Sequence, residues 1–179
     1  MACPASARVA EGKHPAIGTP ILDSVYDRNR SGLRTMFAQV SGVKVHYTTT
    51  EQTADGAVDA PWVTFVTGIA NDVTLWEAQA KALAGTFRVL RYDLRGQGKT
   101  ESTPGAYSIE SLGRDLIALW DALKISRTHL VGLGLGGSIS LGLAIEHPSR
   151  LSSLTACCCR AKMEPDFAVM WHKLFDTVK

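Results

Sequence analysis

The sequence has little that would direct it to a membrane or to nucleic acid. No hydrophobic run approaches the ~20 residues of a spanning helix, and the first residues lack a basic flank followed by an apolar core. Nineteen basic and seventeen acidic residues are interspersed and give a formal net charge of +2. We therefore expect a cytoplasmic protein that binds neither nucleic acid nor a membrane.

Cysteine is also scarce, and three of its four positions are consecutive: Cys157, Cys158 and Cys159. Adjacent cysteines cannot form unstrained disulfides with one another, and the spacing matches no zinc pattern. A reduced compartment follows, with thiols that pack as small hydrophobes on a buried strand. We expect no metal and no cofactor.

What is present is ordinary globular composition, with 45% hydrophobic and 20% charged residues in 179. Residues 1–34 lack sustained periodicity and are predicted to be a tail or a loosely docked arm. Residues 35–161 form the predicted core domain. Residues 162–179 are predicted to be a terminal amphipathic helix, since their apolar residues recur at helical intervals: Phe167, Met170, Trp171, Leu174 and Phe175.

Within the core, extended and helical patterns alternate after an initial hairpin at Ser41-Gly42. In that hairpin His46 alternates with apolar residues and is predicted to face solvent. The predicted strands that follow are 62–67, 87–93, 129–132 and 151–158, and the predicted helices are 71–84, 109–123 and 136–146. This order predicts an α/β fold with a mostly parallel sheet covered by helices on both faces.

A glycine-rich turn between the third of these strands and its helix allows two interpretations. Gly132, Gly134 and Gly137 match the dinucleotide fingerprint G-x-G-x-x-G, whereas Gly132, Gly134 and Gly136 match a nucleophile elbow, G-x-S-x-G, with its serine replaced. A dinucleotide site would need an acidic residue ~20 positions later, and the segment 156–159 has none. The turn also comes late for a cofactor fingerprint, so the elbow is favoured.

Several separated motifs then resemble the N-terminal half of the α/β-hydrolase superfamily, most closely the 3-oxoadipate enol-lactonase and related esterase branch. The segment Thr67-Gly68-Ile69 resembles the oxyanion loop of that superfamily, and residues 93–100 resemble its D-x-R-G-x-G-x-S loop. Residues 146–151 resemble the helix-to-strand junction after the elbow. The resemblance implies a truncated α/β-hydrolase fold in which Gly134 occupies the nucleophile position.

By the same resemblance, the backbone N–H groups of Ile69 and Leu135 would form the oxyanion hole for a small ester or lactone. Gly134 has no side chain to acylate, and neither the acid nor the histidine of a triad is identifiable. We therefore expect an enol-lactonase-like protein without Ser-His-Asp hydrolysis. The alternatives are a non-catalytic binding or scaffold protein of the same fold and, less favoured, a dinucleotide-binding domain.

The last predicted strand would leave an exposed sheet edge. We expect a homo-oligomer, or a second chain, to complete the sheet.

Overall fold

The computed structural model describes residues 36–50 and 59–161 and the backbone of Leu22–Asp23. The strands are β1 (Leu22–Asp23), β2 (Met36–Val40), β3 (Val43–Thr49), β4 (Trp62–Val66), β5 (Arg88–Tyr92), β6 (Thr128–Leu133) and β7 (Leu151–Cys157). The α-helices are α1 (Glu77–Leu83), α2 (Ile109–Ala122) and α3 (Leu135–Glu146). Two 3₁₀ turns, Val73–Trp76 and Pro148–Arg150, precede α1 and β7.

All seven strands join one sheet in the order β1-β2-β3-β5-β4-β6-β7. Strands β5, β4, β6 and β7 run parallel to one another, and β1, β2 and β3 extend the sheet by antiparallel pairing. The predicted hairpin is present, with Ser41 and Gly42 both at positive φ (50° and 73°), as a type I′ turn requires. The structure thus confirms the α/β class and the mostly parallel sheet that the sequence predicts.

Helices cover both faces of this sheet, as predicted. Helices α2 and α3 pack on one face over the larger core, where Trp120 is fully buried and donates through Nε1 to Thr64 Oγ1 at 3.1 Å. Helix α1 and the turn before it cover the other face, where Trp76 stacks on Phe65 with ring centroids 4.9 Å apart. None of the helices in the described ranges has the length and apolarity to cross a bilayer.

Strand β7 forms one edge of the sheet and pairs only with β6 among the described residues. Four of its seven residues are exposed: Ser152, Ser153, Thr155 and Ala156. Within residues 36–50 and 59–161, β7 is therefore an edge strand, as expected. Its completion by a second copy or another chain stays a prediction, and the mass in solution tests it.

The cysteine triplet departs from its prediction as buried packing. β7 ends at Cys157, Cys158 is exposed at φ 49°, and Cys159 is half-buried. Cys157 is the last residue of this edge strand, and the chain leaves the sheet at Cys158. Cys159 lies against α3, where a Cβ on Gly137 would be 2.8 Å from its Sγ. All three thiols are free.

His46 also departs from its prediction, because it is buried with 3% of its surface exposed. The period-two argument assumes that one face of β3 meets solvent. In the structure β3 lies between β2 and β5, and on the face that carries His46 the Phe37 ring lies with its centroid 5.3 Å from that of the imidazole. A polar residue can be buried there because Asp93 accepts its Nδ1–H, with Nδ1 and Oδ2 2.6 Å apart.

Candidate active site

The glycine-rich turn makes a sharp strand-to-helix elbow. β6 ends at Leu133, α3 begins at Leu135, and Gly134 between them has φ 57° and ψ −116°. Its N–H donates to the Cys157 carbonyl at 2.9 Å, and its carbonyl accepts from Ser138 N at 3.0 Å. This left-handed backbone is strained for a residue with a side chain and costs glycine far less. The geometry is that of a nucleophile elbow, with glycine at its apex.

The two flanking glycines are required by close packing. A Cβ on Gly136 would lie 2.5 Å from the carbonyl oxygens of both Val66 and Thr67. A Cβ on Gly132 would collide with the Gly136 carbonyl and would lie 2.5 Å from Ser140 Oγ. The first turn of α3 therefore presses directly onto the ends of β4 and β6, which is the close approach expected of an elbow.

At Gly134 itself the space is open. The nearest atom to a Cβ built there is the Gly68 Cα, at 3.9 Å. A Cβ at this position would therefore meet no steric obstacle from the described residues, so the turn has room for the first atom of a side chain.

The segment Gly68–Asp72 lies beside this elbow, because β4 and β6 are adjacent parallel strands with Val66 opposite Gly132. Two residues beyond this pair, the Gly68 Cα lies 3.9 Å from the position that a Cβ on Gly134 would take. Asn71 Nδ2 donates to the Ile69 carbonyl at 2.8 Å, which fixes the loop, and the Ile69 side chain is 51% exposed. The structure thus brings the predicted site residues Ile69, Gly134 and Leu135 to one place.

Two backbone donors remain available there. In the described part of the chain no hydrogen bond uses the N–H of Ile69 or of Leu135. Leu135 opens a twelve-residue helix, so its N–H has no partner within the helix and lies at the positive end of the helix dipole. Such an arrangement can hold a carbonyl oxygen that gains negative charge.

Asp93 is the main feature of this region that residue-by-residue reasoning missed. Its buried carboxylate accepts Val73 N at 2.7 Å and Lys99 N at 2.8 Å, as well as His46 Nδ1 at 2.6 Å. It thereby fixes the chain directly after the Gly68–Asp72 segment. The D-x-R-G-x-G-x-S motif was the available signal, but a motif does not show which donors its aspartate accepts.

The Arg95 of this motif fastens the same loop to α2. Its Nε and Nη2 donate to the two Asp115 carboxylate oxygens at 2.8 and 2.6 Å. The ion pair raises the pKa of Arg95, chiefly through these hydrogen bonds. The loop after β5 is therefore held from both sides.

The histidines of the described ranges lie away from the elbow. His46 is on β3, three strands and about 14 Å across the sheet from β6. His129 is five residues before Gly134 on a strand, about 16 Å away, and bonds Ser153 Oγ at 2.8 Å. His147 follows the last residue of α3, about 18 Å from its start. Residues 36–50 and 59–161 thus supply no histidine to the Gly134 position.

The fold and the elbow define the class of protein. Residues 61–178 match the sequence profile of the family described as alpha/beta hydrolase fold, and the chain belongs to that family.

Within it, the chain is 34% identical over 122 residues to the putative carbamate hydrolase RutD of a Caulobacter species, a match covering 68% of this chain and 44% of that protein. It is 29% identical over 142 residues to 3-oxoadipate enol-lactonase 1 of Acinetobacter baylyi, covering 79% and 47%.

Solved structures give the same result. A hydrolase from Pseudomonas aeruginosa superimposes with a TM-score of 0.71 at 35% identity, over 84% of this chain and 54% of the other. The enol-lactonase from Burkholderia xenovorans superimposes with a TM-score of 0.69 at 35% identity, over 79% and 57%. The chain spans about half the length of these relatives, and the resemblance to enol-lactonases predicted from the motifs is confirmed.

Proposed function

We propose that this chain is an enol-lactonase-like domain that retains the carbonyl-binding half of a hydrolase site and does not carry out acyl-serine chemistry. The ligand class is a small ester, lactone or carbamate, whose shared feature is a planar carbonyl next to a heteroatom. The observation that carries the proposal is the backbone of Gly134, which keeps the elbow conformation where a nucleophilic side chain is missing.

The chemistry of the site supports this division. Backbone N–H donors act independently of side-chain identity, so the Ile69 and Leu135 groups can polarise a carbonyl whatever residue occupies the elbow. Acyl transfer instead needs an oxygen or sulfur nucleophile activated by a base. Gly134 has none, and the histidines of the described ranges are about 14 to 18 Å from β6 or the elbow.

The test uses hydrolysis of p-nitrophenyl acetate and of 3-oxoadipate enol-lactone by the purified chain. We expect no turnover above a buffer blank and no labelling by a fluorophosphonate probe. Turnover that Gly134→Ala abolishes would contradict the proposal. Turnover that survives this change would come from a site outside the elbow, because neither glycine nor alanine supplies a nucleophile at position 134.

A second test asks whether the site is a disabled esterase or belongs to a binding protein of the same fold, the alternative that the sequence leaves open. Residues 1–161 are joined to the C-terminal half of a related enol-lactonase, and Gly134→Ser is compared with Gly134→Ala in that chimera. Hydrolysis restored by serine alone indicates a disabled esterase. Inactivity of a folded serine variant indicates a binding or scaffold protein.

A further inference from the structure

Strand β7 presents a row of backbone groups that point out of the sheet. The Cys157 carbonyl accepts the Gly134 N–H, so the backbone polar groups of Cys157 point toward β6. Because these groups alternate in direction along a strand, those of Thr155 also point toward β6, and those of Leu154 and Ala156 point outward. In the described ranges β7 has no second neighbouring strand that could bind the outward groups.

The side chains of this edge favour pairing with another strand. Natural sheet edges are often protected from association by lysine, by proline or by a bulge. Strand β7 contains no charged residue and no proline, and its exposed side chains are small. Its one irregularity, a register shift opposite Thr128 and His129, lies at the start of the strand and leaves residues 153–157 regular. A second strand can therefore approach these residues without repulsion between charges.

Helix α3, beside this edge, lacks a polar face. It contacts both β6 and β7, and it meets α2 at Gly142 and Leu143. The helical period places Leu141 and Ile145 on the side away from α2, and Ile145 is 82% exposed. Glu146, the last residue, is the one charged residue of the helix. A helix that is apolar all round is expected to be covered on every side.

We propose that this surface binds a second copy of the chain, in which β7 pairs antiparallel with β7 of the first across a two-fold axis at Thr155. In this register Leu154 of one copy lies opposite Ala156 of the other, so the outward N–H and C=O groups of both residues are satisfied. A two-fold contact needs a surface that is complementary to itself, and the backbone of an antiparallel pair has this symmetry.

The spacing of strands and helices supports a second copy as the partner. Neighbouring strands lie about 4.8 Å apart, and α3 covers both β6 and β7. Two sheets joined at β7 therefore place their α3 helices about 10 Å apart on one face, which is the separation of packed helices. One contact thus covers both the strand edge and the apolar side of the helix. The proposal does not depend on carbonyl binding at the elbow.

Sedimentation equilibrium of the whole chain tests the association. We expect twice the mass of the 19.3 kDa chain at micromolar concentration. Thr155→Lys places two ammonium groups opposite each other at the axis and should give single chains, whereas Gln39→Lys, at an exposed position of β2, should leave the dimer intact. Ala156→Pro removes an outward N–H, which an edge strand tolerates, and should also give single chains. A single-chain mass for the native sequence, including the case in which residues 162–179 cover the edge, overturns the proposal.

Disulfide cross-linking tests the register, in a chain whose native cysteines are changed to serine. Thr155→Cys places two thiols across the axis, in a pair whose Cα atoms lie about 4.5 Å apart, within the range of a disulfide. Ser153→Cys, on the same face of the same strand, lies about 14 Å from its copy in this register and serves as the control. We expect a disulfide-linked dimer from Thr155→Cys alone on mild oxidation. Equal cross-linking at both positions, or a dimer that survives both Thr155→Lys and Ala156→Pro, would refute the pairing.

Discussion

The imidazole Nδ1 of His46 lies 2.6 Å from Asp93 Oδ2, and both side chains are almost fully buried. This contact joins the middle of β3 to the end of β5. The same carboxylate accepts two backbone N–H groups, at Val73 and Lys99, from the segments that follow β4 and β5. One aspartate therefore holds three parts of the chain in place next to the Gly68–Asp72 segment.

We expect Asp93→Asn to lower the free energy of unfolding by about 2 to 3 kcal/mol. The amide turns one acceptor into a donor that faces N–H groups, so at least one buried hydrogen bond is lost. Urea denaturation measures the change. Asp121→Asn is the matched control, because Asp121 is 62% exposed in its pair with Arg150 and should cost at most about 1 kcal/mol. Equal losses of unfolding free energy in the two variants would show that the hydrogen bonds of Asp93 stabilise the fold no more than an exposed ion pair does.

The glycines of the elbow should respond differently to alanine. Gly136→Ala places a Cβ 2.5 Å from two backbone carbonyl oxygens and should cost about 3 kcal/mol or more. Gly134→Ala meets no atom nearer than 3.9 Å and bears only backbone strain, of about 1 to 2 kcal/mol. Gly142→Ala, later in α3, should be neutral or stabilising by up to about 1 kcal/mol. Urea unfolding of the three variants gives the order, and a Gly134 variant less stable than the Gly136 variant would contradict this geometry.

The Arg95–Asp115 pair should be sensitive to replacement of arginine by lysine. Lysine keeps the charge but cannot make the two parallel hydrogen bonds to a buried carboxylate, so we expect Arg95→Lys to cost about 1 to 2 kcal/mol. Arg114→Lys, at an exposed position on the same helix as Asp115, should change stability by less than about 0.5 kcal/mol. Thermal unfolding compares them, and an Arg95 variant as stable as the Arg114 variant would refute the bidentate assignment.

Tyr92 carries a buried hydroxyl without a partner in the described ranges. Tyr92→Phe should raise the free energy of unfolding by about 1 kcal/mol, since it removes an unsatisfied polar group. Tyr107→Phe is the control with the opposite sign, because the Tyr107 hydroxyl bonds Thr103 N at 2.8 Å and the Thr103 carbonyl at 2.9 Å. Denaturation of both variants at neutral pH measures the two changes in unfolding free energy. A loss of stability in Tyr92→Phe would contradict the assignment of the Tyr92 hydroxyl as a buried group without a partner in the described ranges.

The same residue predicts a pH dependence. Burial raises the pKa of Tyr92 above its ordinary value. The folded state therefore holds the phenol proton more tightly than the unfolded state does. The stabilisation is fully present below the unfolded pKa of about 10 and is lost progressively as the pH rises above it. Unfolding measured between neutral pH and about pH 11 should show this loss in the native chain and a smaller one in Tyr92→Phe.

The sequence by itself determined the architecture and the elbow. Alternating strands and helices follow from local periodicity, and the hairpin follows from Ser41-Gly42, because backbone preferences act over a few residues. That residue 134 is glycine is likewise a fact of the sequence alone. The motifs around this position were enough to predict the family. Each motif alone is common, and their order along the chain makes the prediction specific.

Only the tertiary structure decided which side chains meet. His46 occupies a position that period-two patterning assigns to solvent, and Asp93, 47 residues later, supplies a hydrogen-bond partner for its buried Nδ1. The exposure of Cys158 follows from the position of β7 at an edge, and the pairing of Val66 with Gly132 is what brings Ile69 beside Gly134. Such contacts depend on strand order and register, which are set by packing between distant segments and leave no local pattern.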